Sequence, residues 1–119
     1  MAQCRRGDVF MINLPRQEGS HIQGGKRPWV VVQNNLGNRF APTTLLVPLT
    51  TKIKRLDLPT HAIVWDDNLE CSMAECEQVR VVDQGDNWDY ICTLSSDIMS
   101  DVDMALRNAF FYERGAENA

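Results

Sequence analysis

The sequence predicts one domain of the mainly β (α+β) class, a small barrel of five to seven short strands followed by a C-terminal α-helix. Three observations lead to this prediction. Apolar segments before Ser95 are short, rich in β-branched residues and separated by turn formers. From Ser95 onward the apolar spacing changes to three and four residues, which is typical of an amphipathic helix. A length of 119 residues, 44% of them hydrophobic, fits one core, so the predicted domain covers residues 1–119.

Six segments have the composition of strands. The first follows the turn sequence Arg6-Gly7-Asp8, and the second is a continuous apolar run behind Pro28 that suits a strand buried on both faces. Pro48 predicts an edge position or a bulge near the end of the third strand, because proline has no N–H for a sheet ladder. Turn formers after the second strand predict a loop over residues 34–42. The predicted strands cover residues 9–14, 29–33, 43–49, 61–65, 73–82 and 90–94.

The last predicted element is a helix that begins near Ser95. Either Ser95 or Ser96 can cap its first turn, and three aspartates early in the helix suit the positive end of its dipole. Gly115 predicts the stop, with Arg107 and Arg114 toward that end. The predicted apolar face consists of Ile98, Val102, Ala105, Leu106, Ala109 and Phe110.

Cysteine usage and hydropathy bear on location. The four cysteines follow neither a disulfide nor a zinc-ligand spacing, so reduced thiols and a cytoplasmic location are expected, with no metal and no cofactor. No apolar run approaches the roughly 20 residues that cross a bilayer. The N-terminal residues lack the apolar region of a signal peptide, so no membrane association is expected. The cysteines are Cys4, Cys71, Cys76 and Cys92.

Charge is distributed unevenly along the chain. The formal net charge is −4, yet residues 1–55 hold nine Lys or Arg and two acids, a balance of +7. Residues 56–119 hold three basic and fourteen acidic residues, a balance of −11. Because the local field steers an anionic ligand more than the net charge does, this asymmetry is compatible with a basic binding face. A solvated surface with chance clustering is the alternative interpretation.

Residues 19–35 combine a glycine-rich loop with the entrance of the second strand. Gly24 and Gly25 allow a close backbone approach to a ligand without a Cβ in the way. Arg27 and Pro28 then lead directly into the strand. A guanidinium held at a strand edge beside a flexible loop suits phosphate, so this segment indicates a nucleic-acid ligand.

Four sequence blocks follow one another along the chain: RGDVF at 6–10, GGKRPWVVVQN at 24–34, LTT at 49–51 and CEQVRVVD at 76–83. In this order they resemble the MazF/PemK/Kid family, the endoribonuclease toxins of type II toxin–antitoxin systems. The resemblance extends over roughly residues 5–112 and implies an SH3-like barrel with a C-terminal helix, in agreement with the prediction above.

The resemblance implies metal-independent, sequence-specific cleavage of single-stranded RNA such as mRNA. The 2′-OH would attack the adjacent phosphorus and leave a 2′,3′-cyclic phosphate and a 5′-OH. Arg27 matches the family's essential arginine, which would stabilise the phosphorane-like transition state. Thr50 matches a family threonine whose hydroxyl can donate to a phosphoryl oxygen and orient the 2′-OH. Without the resemblance, Thr50 would be interpreted as a β-branched residue at a strand edge.

Seven further residues are expected at the RNA. Glu77 is a candidate acceptor of the 2′-OH proton, Gln78 a candidate reader of a base edge, and His21 a candidate for proton transfer. The alternatives are an exposed strand carboxylate for Glu77 and a solvated loop histidine for His21, so the general acid and base stay open. The seven residues are His21, Gln23, Gly25, Lys26, Asn34, Glu77 and Gln78.

Two positions depart from the family pattern. Many relatives have Glu-Gln in the loop where this chain has Ile22-Gln23. One branch of the family has an arginine, proposed as the acid, at the position that is Glu75 here. Both changes fall in the region that sets base preference, so the sequence does not predict the cleavage motif.

The resemblance also implies partners. Family members are homodimers with an RNA groove along the dimer interface, and a cognate antitoxin with a flexible, acidic tail neutralises them. Two alternatives are a CcdB-like gyrase inhibitor and a non-catalytic SH3-like module or inactivated relative. The polar C-terminus, ERGAENA, disfavours the first, because that action depends on a tryptophan-bearing end. The three tryptophans, spread along the chain, form no obvious stripe for a proline-rich peptide.

Overall fold

The computed structural model describes residues 4–85 and 87–111. Within these residues the chain forms seven strands, two α-helices and one 3₁₀ turn at Cys76–Gln78. The strands are β1 Asp8–Leu14, β2 Gly25–Val31, β3 Thr43–Thr50, β4 His61–Asp66, β5 Leu69–Glu75, β6 Arg80–Asp83 and β7 Asp89–Thr93. The helices are α1 Asn35–Phe40 and α2 Ser96–Phe111.

The strands form one curled antiparallel sheet in the order β4-β5-β3-β2-β1-β7, with β6 also paired to β3. β3 organises this sheet, because it pairs with β2 on one edge and with β6 and then β5 on the other. The mainly β class, the strand number and the C-terminal helix confirm the predicted SH3-like barrel with its terminal helix.

Pro48 does not lie at a sheet edge, which was one of the two positions that the sequence allowed. It pairs with Trp29 of β2, and β3 has neighbours on both sides. On the side away from β2, the pairing with β6 ends at Leu46 and the pairing with β5 begins at Leu49. The proline therefore occupies the gap where β3 changes partner, and there its missing N–H interrupts no ladder.

The predicted strand over residues 73–82 is also wrong as a continuous element. β5 ends at Glu75, the 3₁₀ turn follows, and β6 begins at Arg80. This interruption lies opposite Pro48, where β3 offers no N–H for pairing. The buried side chain of Cys76 fills the turn from inside.

The predicted loop over residues 34–42 contains the short helix α1. Asn34 caps it, since its Oδ1 accepts a hydrogen bond from the Gly37 N–H at 2.8 Å. Asn38 on this helix is 1% exposed, and its Oδ1 accepts from Thr44 Oγ1 at 2.6 Å. Its Nδ2 donates to the Gln33 carbonyl at 2.9 Å. Polar side chains therefore stabilise a helix that apolar periodicity does not reveal.

Two apolar clusters fill the two faces of the sheet. Val30 belongs to the cluster that α2 covers, whereas Trp29 and Val31 belong to the cluster on the other face. The prediction that the second strand is buried on both faces is therefore confirmed. The α2 residues in the first cluster are Ile98, Met99, Val102 and Ala105.

The N-terminal end of α2 resolves the choice of cap. Ser95 Oγ accepts from the Ile98 N–H at 3.3 Å, so Ser95 is the cap. At the other end Ala109 is exposed and Phe110 is 66% exposed, so the predicted apolar face ends before these residues. The predicted stop at Gly115, like Arg114, lies outside the described residues. None of the helices in the described ranges has the length and apolarity of a membrane-spanning segment.

Candidate active site

Arg27 and Thr50 line one cavity of about 290 Å³ at the start of β2 and the end of β3. The antiparallel register brings them together, because the Trp29–Pro48 pair, continued by two residues, sets Arg27 opposite Thr50. The other residues that line this cavity are Arg16, Gln23, Lys52, Lys54, Met73 and Glu75. A neighbouring cavity of about 230 Å³ is also lined by both residues, together with Lys26.

The Arg27 guanidinium is held by its own loop. Its Nε donates to the Gly24 carbonyl at 3.0 Å, and the side chain is half-buried. Within the described part of the chain its terminal nitrogens have no hydrogen-bond partner, so they are available to a ligand. The Thr50 hydroxyl accepts from the Lys52 N–H at 3.1 Å, which leaves its own hydrogen free to donate.

The two loop glycines, Gly24 and Gly25, are required for different structural reasons. A Cβ on Gly24 would lie 2.7 Å from the Pro15 carbonyl oxygen and 2.9 Å from Arg16 Cβ. Gly24 therefore permits a close contact inside the protein, where the sequence had suggested an approach to a ligand. Gly25 has a φ of +78° and open space where a Cβ would stand, so the need there is conformational.

The loop before β2 is anchored on the segment that follows β5. Gln78 Oε1 accepts from the Gln23 N–H at 3.2 Å, and Gln78 Nε2 donates to the His21 carbonyl at 3.2 Å. Arg80 donates to the Gln23 carbonyl at 3.4 Å, and its guanidinium lies 5.9 Å from the centre of the Trp29 ring. Both ends of the Gln78 amide are thus used within the chain, where they position the loop.

Six of the seven expected RNA contacts do not line the 290 Å³ cavity. Glu77 is bonded to His61 Nε2 at 3.0 Å and accepts from Thr60 Oγ1 at 3.2 Å. Asn34 lies beyond the opposite end of β2, where it caps α1. The His21 side chain is exposed on the loop and does not line the cavity. Gln23 does line it.

Arg16 and Glu75 line the cavity although the sequence did not mark either as a site residue. Arg16 comes from the loop after β1, and no local sequence signal marks it. Glu75 is the last residue of β5, noted only as a departure from the family pattern. The pairing of β5 with β3, which places Met73 opposite Thr50, brings Glu75 to the cavity, and local sequence does not predict this pairing.

Within residues 4–85 and 87–111, His61, Glu75 and Glu77 form a group that could hold a metal ion. One ligand atom of each lies within 4.8 Å of the others. Both nitrogens of His61 already have partners, however, since Nδ1 donates to the Arg55 carbonyl at 2.9 Å and Nε2 faces Glu77. Hydrogen bonds to the Arg55 carbonyl and to Glu77 thus hold His61 in this cluster.

Cysteine chemistry is not supported at the buried thiols. Burial raises the pKa of Cys76 to about 12 and the pKa of Cys92 to about 11. Both groups therefore stay protonated at neutral pH, and a thiol is a poor nucleophile. Cys71 is the exposed cysteine, and it does not line the 290 Å³ cavity.

This chain is similar to known toxins along most of its length. Residues 5–110 match the model of the PemK-like, MazF-like toxins of type II toxin–antitoxin systems. Endoribonuclease EndoA of Bacillus subtilis (strain 168) is 38% identical over 106 residues, which cover 87% of this chain and 90% of that protein.

Solved structures share the fold. MazF from Deinococcus radiodurans superposes with a TM-score of 0.74 at 19% identity, over 88% of this chain and 94% of that one. An endoribonuclease in complex with its cognate antitoxin, from a mycobacterial species, gives 0.70 at 23% identity, over 89% and 93%. The sheet order and the helix that covers the sheet are consistent with the sequence match over nearly the whole chain. The chain therefore belongs to the PemK-like, MazF-like toxins of type II toxin–antitoxin systems.

Proposed function

We propose that this toxin is an endoribonuclease that cleaves single-stranded RNA, including mRNA, at short sequence motifs without a metal ion. The 2′-OH attacks the adjacent phosphorus and yields a 2′,3′-cyclic phosphate and a 5′-OH. The observation that carries this proposal is the meeting of Arg27 and Thr50 in one strongly basic cavity. The similarity to an endoribonuclease along most of the chain supports it.

Arg27 supplies the charge that this reaction needs. Negative charge builds on the phosphoryl oxygens as the 2′-oxygen attacks, and the terminal nitrogens of Arg27 are free to donate to them. Thr50 adds a neutral donor, because its hydroxyl hydrogen is free while its oxygen accepts from Lys52. Arg27 acts as a donor throughout, because a guanidinium has N–H donors and no acceptor atom.

The basic residues around this pair provide a path for the RNA backbone. Arg16, Lys52 and Lys54 line the same cavity, and Lys26 lines its neighbour. Contacts of this kind make binding depend strongly on salt. Of the seven residues expected at the RNA, Gln23 and Lys26 line these two cavities and are the contacts proposed there. The contacts proposed beyond the two cavities are His21, Gly25, Asn34, Glu77 and Gln78.

The proposed assembly is a homodimer that a cognate antitoxin with a flexible acidic tail neutralises in the cytoplasm. Apolar surface supports the dimer: Leu36 and Phe40, one turn apart on α1, are each 71% exposed. The basic cavity supports the acidic tail, because RNA and such a tail would compete for the same cations. A monomer in sedimentation at micromolar concentration would contradict the dimer.

Cleavage of a long, mostly single-stranded RNA by the purified protein in excess EDTA tests the reaction. We expect discrete fragments that end in 2′,3′-cyclic phosphate. Arg27→Ala should lower kcat/KM by about a hundredfold or more, whereas Arg107→Ala, which removes an exposed arginine from α2, should leave it unchanged. Failure of the folded protein to cleave two unrelated RNAs would refute the proposal in favour of a non-catalytic toxin.

A further inference from the structure

The proposed cleavage needs a group that accepts the proton of the attacking 2′-OH. Glu75 carries the sole carboxylate among the described residues that line the 290 Å³ cavity. Arg27 and the other basic side chains there are hydrogen-bond donors, and the remaining lining residues are Gln23, Thr50 and Met73. The cavity that holds Arg27 and Thr50 thus offers one ready proton acceptor.

The sheet fixes Glu75 on the correct side of β5. Met73 is the register partner of Thr50, and residues two apart on a strand point to the same face. Glu75 therefore projects to the face of β5 on which Met73 lies beside Thr50, and both residues line the cavity. Because Glu75 also pairs with His61 of β4, a strand neighbour restrains its backbone.

The carboxylate of Glu75 keeps an acceptor for substrate. Its Oε1 is enclosed and has no hydrogen-bond partner. Its Oε2 accepts one long bond, 3.4 Å, from Gln23 Nε2. No lysine or arginine of the described ranges lies within ion-pair distance of it. Because Oε1 is enclosed, the proton would go to Oε2, where a 2′-OH has to displace only the long contact with Gln23.

The other candidate acceptors are placed less well. The Glu77 carboxylate is bonded to His61 and Thr60, and Glu77 does not line this cavity. His21 stands on the exposed loop outside it. These two residues were the candidates that the sequence offered, and the geometry favours neither over Glu75.

We propose that Glu75 is the general base of the cleavage, an inference that rests on the proposed function. Glu75 Oε2 takes the proton of the 2′-OH as the 2′-oxygen bonds to phosphorus. The bond from phosphorus to the 5′-oxygen breaks, and the 5′-oxygen keeps the electron pair and takes a proton from water. Glu75 then returns its proton to solvent, so atoms and charge balance over the cycle.

Two substitutions at Glu75 test this role in the full-length toxin. Glu75→Gln keeps the shape but cannot accept the proton, and we expect kcat to fall by about a hundredfold or more with KM nearly unchanged. Glu75→Ala should lose the same activity and regain part of it when formate is added, because formate can occupy the vacated space and accept the proton. A purely structural role would show no rescue.

The matched control is Glu70→Gln, which removes an exposed carboxylate from the same strand and should leave kcat unchanged with or without formate. Folded Glu75→Gln with wild-type kcat would overturn the proposal, and so would loss of activity in Glu75→Ala without formate rescue. Inactivity of the wild type on the two RNAs would instead refute the proposed endoribonuclease. The two failures are therefore distinguishable.

Discussion

The buried side chain of Asn38 should contribute strongly to folding stability, although it lies outside the cavity. Asn38→Ala removes the acceptor of the Thr44 hydroxyl, which is 0% exposed, and the donor to the Gln33 carbonyl. A buried polar group left without a partner costs about 1–3 kcal/mol. With the small void added, we expect the unfolding free energy to fall by about 3 kcal/mol.

A double-mutant cycle separates the hydrogen bond from the other losses. Thr44→Val removes the hydroxyl and keeps the shape, and Asn38 Oδ1 still accepts from Gln33 Nε2 at 3.1 Å, so we expect a cost of about 1 kcal/mol. In that background Asn38→Ala leaves no orphaned hydroxyl, and the double variant should lose about 3 kcal/mol rather than about 4.

Urea unfolding is measured for the wild type, the two single variants and the double variant, because the midpoint and slope give the unfolding free energy of each. A coupling of about 1 kcal/mol between the two sites is expected. Additivity of the two single losses within about 0.5 kcal/mol would show that Thr44 and Asn38 are energetically independent. That result would refute the argument that a buried polar network holds α1.

Four further predictions concern the loop and the thiols. Gly24→Ala should lower kcat/KM far more than Gly25→Ala in the RNA assay, because only the first forces backbone apart; equal losses would contradict this. Gln78→Ala should raise KM and leave the urea midpoint nearly unchanged, since it frees two loop contacts; an unchanged KM would contradict the loop-positioning role. Ellman's reagent should modify Cys71 quickly in the folded protein, and modification should stop in Cys71→Ser. The pKa of the Cys76 thiol is about 12 in the folded protein and 9.0 for an ordinary thiol, so between these pH values only the unfolded chain loses the thiol proton. The unfolding free energy should therefore fall as pH rises in this range, and it should fall less in Cys76→Ala.

Periodicity explains what the sequence predicted well. The alternation and apolar runs located the strand regions, and the three-and-four spacing after Ser95 located α2. The short helix α1 escaped because six residues carry too little apolar pattern, and its stability comes from Asn34 and Asn38. The break after Glu75 escaped because its cause, Pro48, lies on another strand.

The candidate site was predictable only in part, because its members come from separate segments. Arg27 and Thr50 were identified by resemblance, and the antiparallel register explains why they meet. Arg16 and Glu75 join them through a loop and through a strand pairing that no local pattern encodes. Long-range pairing, rather than composition, determines which charges face the cavity.

The position of Arg80 links the loop to an optical signal. Its guanidinium lies over the buried Trp29 ring and also donates to the Gln23 carbonyl. A cation close to an indole alters its emission, so any ligand that lifts the loop and draws Arg80 away will change the fluorescence of Trp29. With Trp65 and Trp88 replaced by phenylalanine, the chain would carry one indole that reports when a ligand occupies the cavity, without any attached dye.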